Sequence, residues 1–92
     1  MQSTPYSDSK DDLLRRLKKI EGQVKGLQRM VESDKYCVDV LVQVAAVRAA
    51  IHKVGTIVFE NHSRGCLHRA IQTGDKDAAI EELLGVLTKF VK

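Results

Sequence analysis

Apolar residues recur at Leu13, Leu17, Ile20, Val24, Leu27 and Val31, in steps that alternate between 4 and 3. That spacing keeps all six on one stripe of a helix. Polar and charged residues fill the positions between them, so the segment predicts an amphipathic helix over about 10–31. Ser9 ahead of Asp11 and Asp12 has the composition of a helix start, a hydroxyl cap followed by an acidic first turn. A second stripe, Val40, Val44, Val47, Ile51, Val54 and Val58, repeats the same alternation. Ser33 and Asp34 offer its cap. Gly55 and Gly65 weaken this helix without breaking it, and no proline follows Pro5, so it extends over about 35–72. Thr73-Gly74-Asp75 reads as a helix stop followed by a new cap. Ala79, Ile80, Leu83, Leu84, Leu87, Phe90 and Val91 then predict a third helix over about 76–91. No strand-like alternation stands out, so the expected fold class is all-α, three helices per chain with a long central one.

The length of 92 residues allows one hydrophobic core. Residues 1–9 are polar, hold the only proline and predict a flexible segment; 10–92 form the single helical domain. A helix as long as the second projects beyond the two partners its own chain supplies. Its apolar stripe therefore predicts an obligate oligomer built on that helix. No uninterrupted apolar run approaches the length of a membrane span, and Met1–Lys10 lacks the character of a signal peptide. The expected location is the cytoplasm, with no membrane partner. In that reducing compartment two cysteines read as thiols or metal ligands rather than as a disulfide.

Lysine and arginine total 15 against 12 aspartate and glutamate, a net charge of +3 that leans toward a polyanion and is equally met by a solvated basic helix surface. The basic residues cluster as Arg15, Arg16, Lys18, Lys19, Lys25 and Arg29 on helix 1, with Arg48 and Lys53 on helix 2. No nucleophile–base–orienter set and no phosphate loop is present, so no enzyme is expected.

Cys37, His62 and Cys66 could hold a soft metal. His62 and Cys66 are four residues apart, on one helical face. Cys37 precedes His62 by 25 residues, roughly 38 Å along a continuous helix, so the three cannot meet on one ion within a chain. They can meet if two copies of helix 2 pack antiparallel. Cys37 then lies opposite the middle of the His62–Cys66 pair, and the two-fold axis passes near positions 50 and 51. The residues there, Ala45, Ala46, Ala49 and Ala50, are small enough for close approach, and they are also simply good helix formers. Two thiolates and an imidazole suit Cu(I), or Zn(II) with a fourth ligand; no fourth is evident, which favours Cu(I). Cys37 in the first turn of helix 2 sits where the amide dipoles favour an anion. His52 and His68 fall elsewhere on the helix and are weaker candidates.

The segments RRLKKIEGQVKGLQRMVESDKYCVDVLVQVAAV (15–47) and NHSRGCLHRAIQTGDKDAAIEELLGVLTKF (61–90) resemble the CsoR/RcnR family of bacterial metal-sensing repressors, over nearly the whole chain. The resemblance implies a disc-shaped tetramer, a dimer of antiparallel dimers with four-helix-bundle cores, which binds operator DNA without a helix-turn-helix and loses it when an effector binds. Copper sensors of the family carry Cys, His and Cys at the positions of Cys37, His62 and Cys66, the first from one subunit and the others from its partner. Nickel and cobalt sensors add a histidine near the N-terminus and replace the last cysteine by histidine; no histidine precedes His52 here. Formaldehyde sensors place proline directly after the initiator methionine, where this chain has Gln2, and persulfide sensors lack the histidine that His62 supplies. The resemblance also implies that Tyr36 and Glu82 hydrogen-bond near the ligating histidine, and that Arg16 and Lys53 contact operator DNA.

The expected function is a repressor that binds operator DNA in the apo state and releases it on Cu(I) binding, derepressing copper-resistance genes. Metal ligands are Cys37, His62 and Cys66; Tyr36 and Glu82 lie behind them; Arg15, Arg16, Lys18, Lys19, Arg48 and Lys53 face DNA. Two alternatives stay open: the same fold answering Ni(II), Zn(II) or a thiol-reactive species, and a cytosolic copper buffer with no DNA role.

Overall fold

The computed structural model describes residues 9–91. The expectation of a flexible segment at the start of the chain falls, apart from Ser9, outside these residues. Three helices follow in order: α1 (Lys10–Glu32), α2 (Cys37–Thr73) and α3 (Lys76–Val91). The predicted all-α architecture and the long central helix are both present.

The helix ends show which residues do the punctuating. Ser9 occupies the N-cap position of α1 but makes no capping hydrogen bond. Its hydroxyl instead accepts a hydrogen bond from the Asn61 side chain at 3.1 Å, which ties the start of α1 to α2. Ser33 and Asp34, expected to open α2, instead close α1. The Ser33 hydroxyl donates to the Arg29 carbonyl at 2.9 Å, and Asp34 takes the left-handed conformation with φ 56°. A short polar side chain tolerates that conformation far better than a β-branched one. Tyr36 is left as the N-cap of α2, without a side-chain hydrogen bond. At the other end the stop-and-restart reading holds. Gly74 caps α2 with φ 77°, a conformation that costs glycine nothing. Asp75 then accepts a hydrogen bond from the Ala78 amide at 3.3 Å and starts α3.

α1 and α3 both pack on α2, at different stations along it. Leu13 and Ile20 of α1 and Val54 of α2 are buried together, flanked by Val47, Ala50, Ile57 and Val58. Cys66 and Ala70 of α2 bury against Ala79 of α3, with Leu83 beside them. Half of the α1 stripe and a third of the α2 stripe find no cover in their own chain. Leu17, Val24 and Val31 of α1, and Val44 and Ile51 of α2, stay exposed, as do Val38, Leu41 and Val42. The molecule measures 57 × 28 × 15 Å and its radius of gyration is 17.7 Å. A compact chain of this length would have about 12 Å.

By length and composition α2 could cross a bilayer, contrary to the expectation drawn from uninterrupted runs. Counting runs misses a helix whose valines and alanines lie on every face, with Gln43, Arg48, His52 and Lys53 between them. Cationic groups at mid-helix are costly in hydrocarbon, so length and composition alone do not make α2 a span.

Candidate metal centre

The C-terminal half of α2 and the first half of α3 bring three of the predicted residues together. His62 and Cys66 stand one turn apart on the face of α2 that α3 covers, and Glu82 reaches them from α3. The Cys66 thiol is buried, 3% exposed, and donates to Glu82 Oε2 at 3.1 Å. His62 Nε2 lies 3.6 Å from Glu82 Oε1, too long for a hydrogen bond; it is buried and has no hydrogen-bond partner among the described residues. Arg69, one turn beyond Cys66, points its guanidinium at the same carboxylate, 3.5 Å from Oε2. Glu82 thus faces an imidazole with one oxygen and a thiol and a guanidinium with the other.

This arrangement has a clear electrostatic consequence. The hydrogen bond to Glu82 raises the Cys66 thiol above its ordinary range; burial and the carboxylate's charge push the same way, and Arg69 pulls weakly back. The thiol is held protonated here. A buried thiol and an unpartnered imidazole nitrogen fit a metal site, because each gains a role on coordination that the apo packing denies it. With Nε2 turned toward Glu82, the free donor atom of His62 is Nδ1.

Cys37 and Tyr36 lie at the far end of α2, where Cys37 is its first residue and Tyr36 its N-cap. Both are exposed. No group of three His, Cys, Asp or Glu that could hold a metal forms among the described residues of one chain. Tyr36 therefore does not join Glu82 near His62 within the chain.

The predicted DNA-facing residues divide into two kinds. Arg15 and Arg16 both pair with Asp12 one turn back, Arg16 Nε at 2.9 Å from Oδ2. Lys18, Lys19, Arg48 and Lys53 are exposed. Arg16 and Lys19 line a shallow groove between α1 and α2 with Gln23, Ala46 and Ala50. Arg69, a cation one turn past a ligand candidate, is a site residue that the sequence could have signalled; Asp12 stands in the acidic first turn as expected, and also at i−3 and i−4 from two arginines that pair with it.

The profile of the family described as "Metal-sensitive transcriptional repressor" matches residues 9–89. The copper-sensing transcriptional repressor CsoR of Bacillus subtilis is 52% identical over 86 residues, 94% of this chain and 85% of that protein. The copper-sensing transcriptional repressor RicR of Mycobacterium tuberculosis is 37% identical over 89 residues, 95% of this chain and 93% of the other. Among solved structures, the copper-sensing repressor CsoR with Cu(I) from Geobacillus thermodenitrificans superposes with a TM-score of 0.83 at 39% identity, covering 100% of this chain and 94% of that one. The nickel-responsive transcriptional regulator InrS also superposes with a TM-score of 0.83, at 36% identity, covering 87% and 90%. Equal likeness to a copper and a nickel regulator means that the backbone does not choose the metal, and the donor atoms must. The profile over nearly the whole chain, the identity to two copper-sensing repressors and the shared three-helix fold lead to one conclusion: this chain belongs to the family of metal-sensitive transcriptional repressors.

Proposed function

We propose that the protein is a Cu(I)-responsive repressor, bound to operator DNA without metal and released when Cu(I) occupies Cys37, His62 and Cys66. The observation that carries this reading is the pair of Cys66, buried, and His62, half-buried, both turned toward Glu82. A second thiol, Cys37, stands at the opposite end of the same helix. Two thiolates and one imidazole form a soft set that selects Cu(I) over Ni(II). The relatives named as copper sensors support the choice.

A site made of these three residues takes a second copy of the chain. Two α2 helices packed antiparallel, with their axis near positions 50 and 51, carry the Cys37 of one chain to the His62 and Cys66 of the other. The exposed valines and leucines of α1 and α2 supply the apolar surface for that pairing. Two such dimers make the proposed homotetramer. A repressor that meets DNA in the cell works in the cytoplasm.

Cu(I), when bound, supplies a cation that favours the thiolate forms. For Cys66 that would mean giving up to solvent the proton it now donates to Glu82, since a thiolate is the ligand form. His62, if it held the ion through its other ring nitrogen, would be free to donate Nε2–H to Glu82 Oε1, 3.6 Å away in the metal-free arrangement. Glu82 would then exchange a thiol on α2 for an imidazole one turn earlier, and α3 would shift with it. On the DNA side, Arg15, Arg16, Lys18, Lys19, Arg48 and Lys53 recur across four subunits and address phosphates.

The test is anaerobic binding of the protein to DNA from upstream of its own gene, with and without one equivalent of Cu(I), Ni(II) or Zn(II) per protomer. Collapse of affinity with Cu(I) alone supports the reading. Collapse with Ni(II) or Zn(II) instead moves the effector. Salt-insensitive or absent binding points to a copper buffer.

A further inference from the structure

α3 is fastened to α2 at two places. One is Glu82 at the candidate metal centre. The other is Phe90, eight residues on, about 12 Å further along the helix. Its ring lies between two aromatic rings of α2: on His52 at 5.4 Å between centroids with planes 10° apart, and beside Phe59 at 6.0 Å and 12°. The floor of this seat is Gly55. A Cβ there would come within 2.5 Å of the Phe90 ring, closer than side-chain carbons pack. Only a residue without a side chain lets the ring down onto the helix. His52 precedes Lys53 directly and follows Arg48 by about one turn, so the seat adjoins the basic stretch of α2.

We propose that Phe90, seated on Gly55 between His52 and Phe59, is the positioning residue that carries the movement of α3 from the metal centre to the basic stretch of α2 at Arg48 and Lys53. This inference rests on the function proposed above. The physical argument is leverage along a rigid element. α3 runs as one unbroken helix from Lys76 to Val91, so a change at Glu82 displaces its far end as well. With the ring seated, that displacement presses on α2 beside its cations. With the ring removed, α3 can shift at Glu82 and leave the basic stretch undisturbed. Phe90 is itself neither a proposed ligand nor a proposed DNA contact, so its loss should separate the two binding events.

The experiment compares wild type, Phe90→Ala, Phe90→Leu and Gly55→Ala, all as full chains with helicity and melting checked first. Cu(I) affinity is read by competition with a chelator of known affinity, and DNA affinity by anisotropy with and without Cu(I). Wild type is expected to lose about 5–150-fold in DNA affinity on Cu(I) binding, the usual span of such coupling. Phe90→Ala is expected to keep Cu(I) affinity and metal-free DNA affinity within about threefold, while the Cu(I)-dependent loss shrinks to about twofold or less. Phe90→Leu retains bulk without the stack and should respond between the two; it carries the test if Phe90→Ala folds poorly. Gly55→Ala should uncouple like Phe90→Ala, and adding it to Phe90→Ala should change nothing further, since the ring it displaces is gone. Undiminished coupling in well-folded Phe90→Ala, or in Phe90→Leu and Gly55→Ala together, overturns the inference. Wild-type DNA affinity that ignores Cu(I) is a different failure: it removes the functional reading itself, and this inference with it.

Discussion

Among single residues, Glu82 has the largest expected effect. Among the described residues it is the carboxylate that faces both halves of the proposed ligand pair on α2. Replacing it by glutamine keeps the shape but removes the charge that would hold an imidazole N–H. Residues that orient a metal ligand typically contribute 10–100-fold in affinity, so Glu82→Gln is expected to weaken Cu(I) binding by about that factor, read by chelator competition. An unchanged affinity would make Glu82 a packing and salt-bridge residue alone, the partner of Arg69. Asp12 gives a prediction in the acid range. The hydrogen bond from Arg16, with its charge and a further contact from Arg15, holds Asp12 below the usual carboxylate range despite some opposing desolvation. A depressed folded-state pKa stabilises the fold above the unfolded value, about 3.9, and that contribution is lost as pH falls through the lower folded value. Wild type should therefore melt higher than Asp12→Asn near neutral pH, and the gap should close on acidification below about pH 4. A gap that is flat with pH would mean that the ion pairs are too exposed to contribute.

At the level of elements, the chain's periodicity was a good guide to helices and a poorer guide to their ends. The 4-and-3 steps located α1, α2 and α3 to within about two residues at each boundary. Ser33 and Asp34 were read the wrong way round because a hydroxyl followed by an acid can close a helix as well as open one. Which it does depends on whether the backbone behind it is already helical, and at Ser33 it is. Gly74 was legible because its role is conformational: the chain must turn with positive φ between α2 and α3. Gly74→Ala is expected to cost about 1 kcal/mol, which lowers the melting temperature by several degrees in a domain of this size. A melting temperature that does not move would mean that the turn relaxes to another conformation at no cost.

For the whole molecule, the prediction concerns what the single chain lacks. Its apolar stripes are only partly covered, and Cys37 stands 25 helical residues from His62, the nearer of its proposed partners. If each site takes Cys37 from one chain and His62 with Cys66 from the other, two defective variants should complement. Protein carrying Cys37→Ala mixed with protein carrying Cys66→Ala forms dimers in which one site of two is intact. The mixture should recover up to half of the Cu(I) capacity per mixed dimer, whereas neither variant alone binds tightly. No recovery after confirmed subunit exchange would place the site within one chain or elsewhere. Ile51, exposed beside the proposed axis, tests the pairing itself. Ile51→Glu sets two carboxylates against each other there and should lower the mass seen by sedimentation equilibrium toward one chain; an unchanged mass would move the interface.

What the sequence determined by itself is whatever depends on local spacing: three helices, the exceptional length of α2, the glycine turn, and the pairing of His62 with Cys66 one turn apart. Helical geometry converts those separations directly into positions on a face, and helical rise makes a one-chain site with Cys37 impossible. The family resemblance added Glu82, which no periodicity singles out. Only the tertiary structure decided how α3 lies against α2. That packing put Glu82 between a thiol, an imidazole and Arg69, and lowered Phe90 onto Gly55 between His52 and Phe59. Those contacts join residues far apart in sequence. They follow from how two helices settle side by side, and that is set by the sum of many weak side-chain contacts rather than by any pattern along one segment.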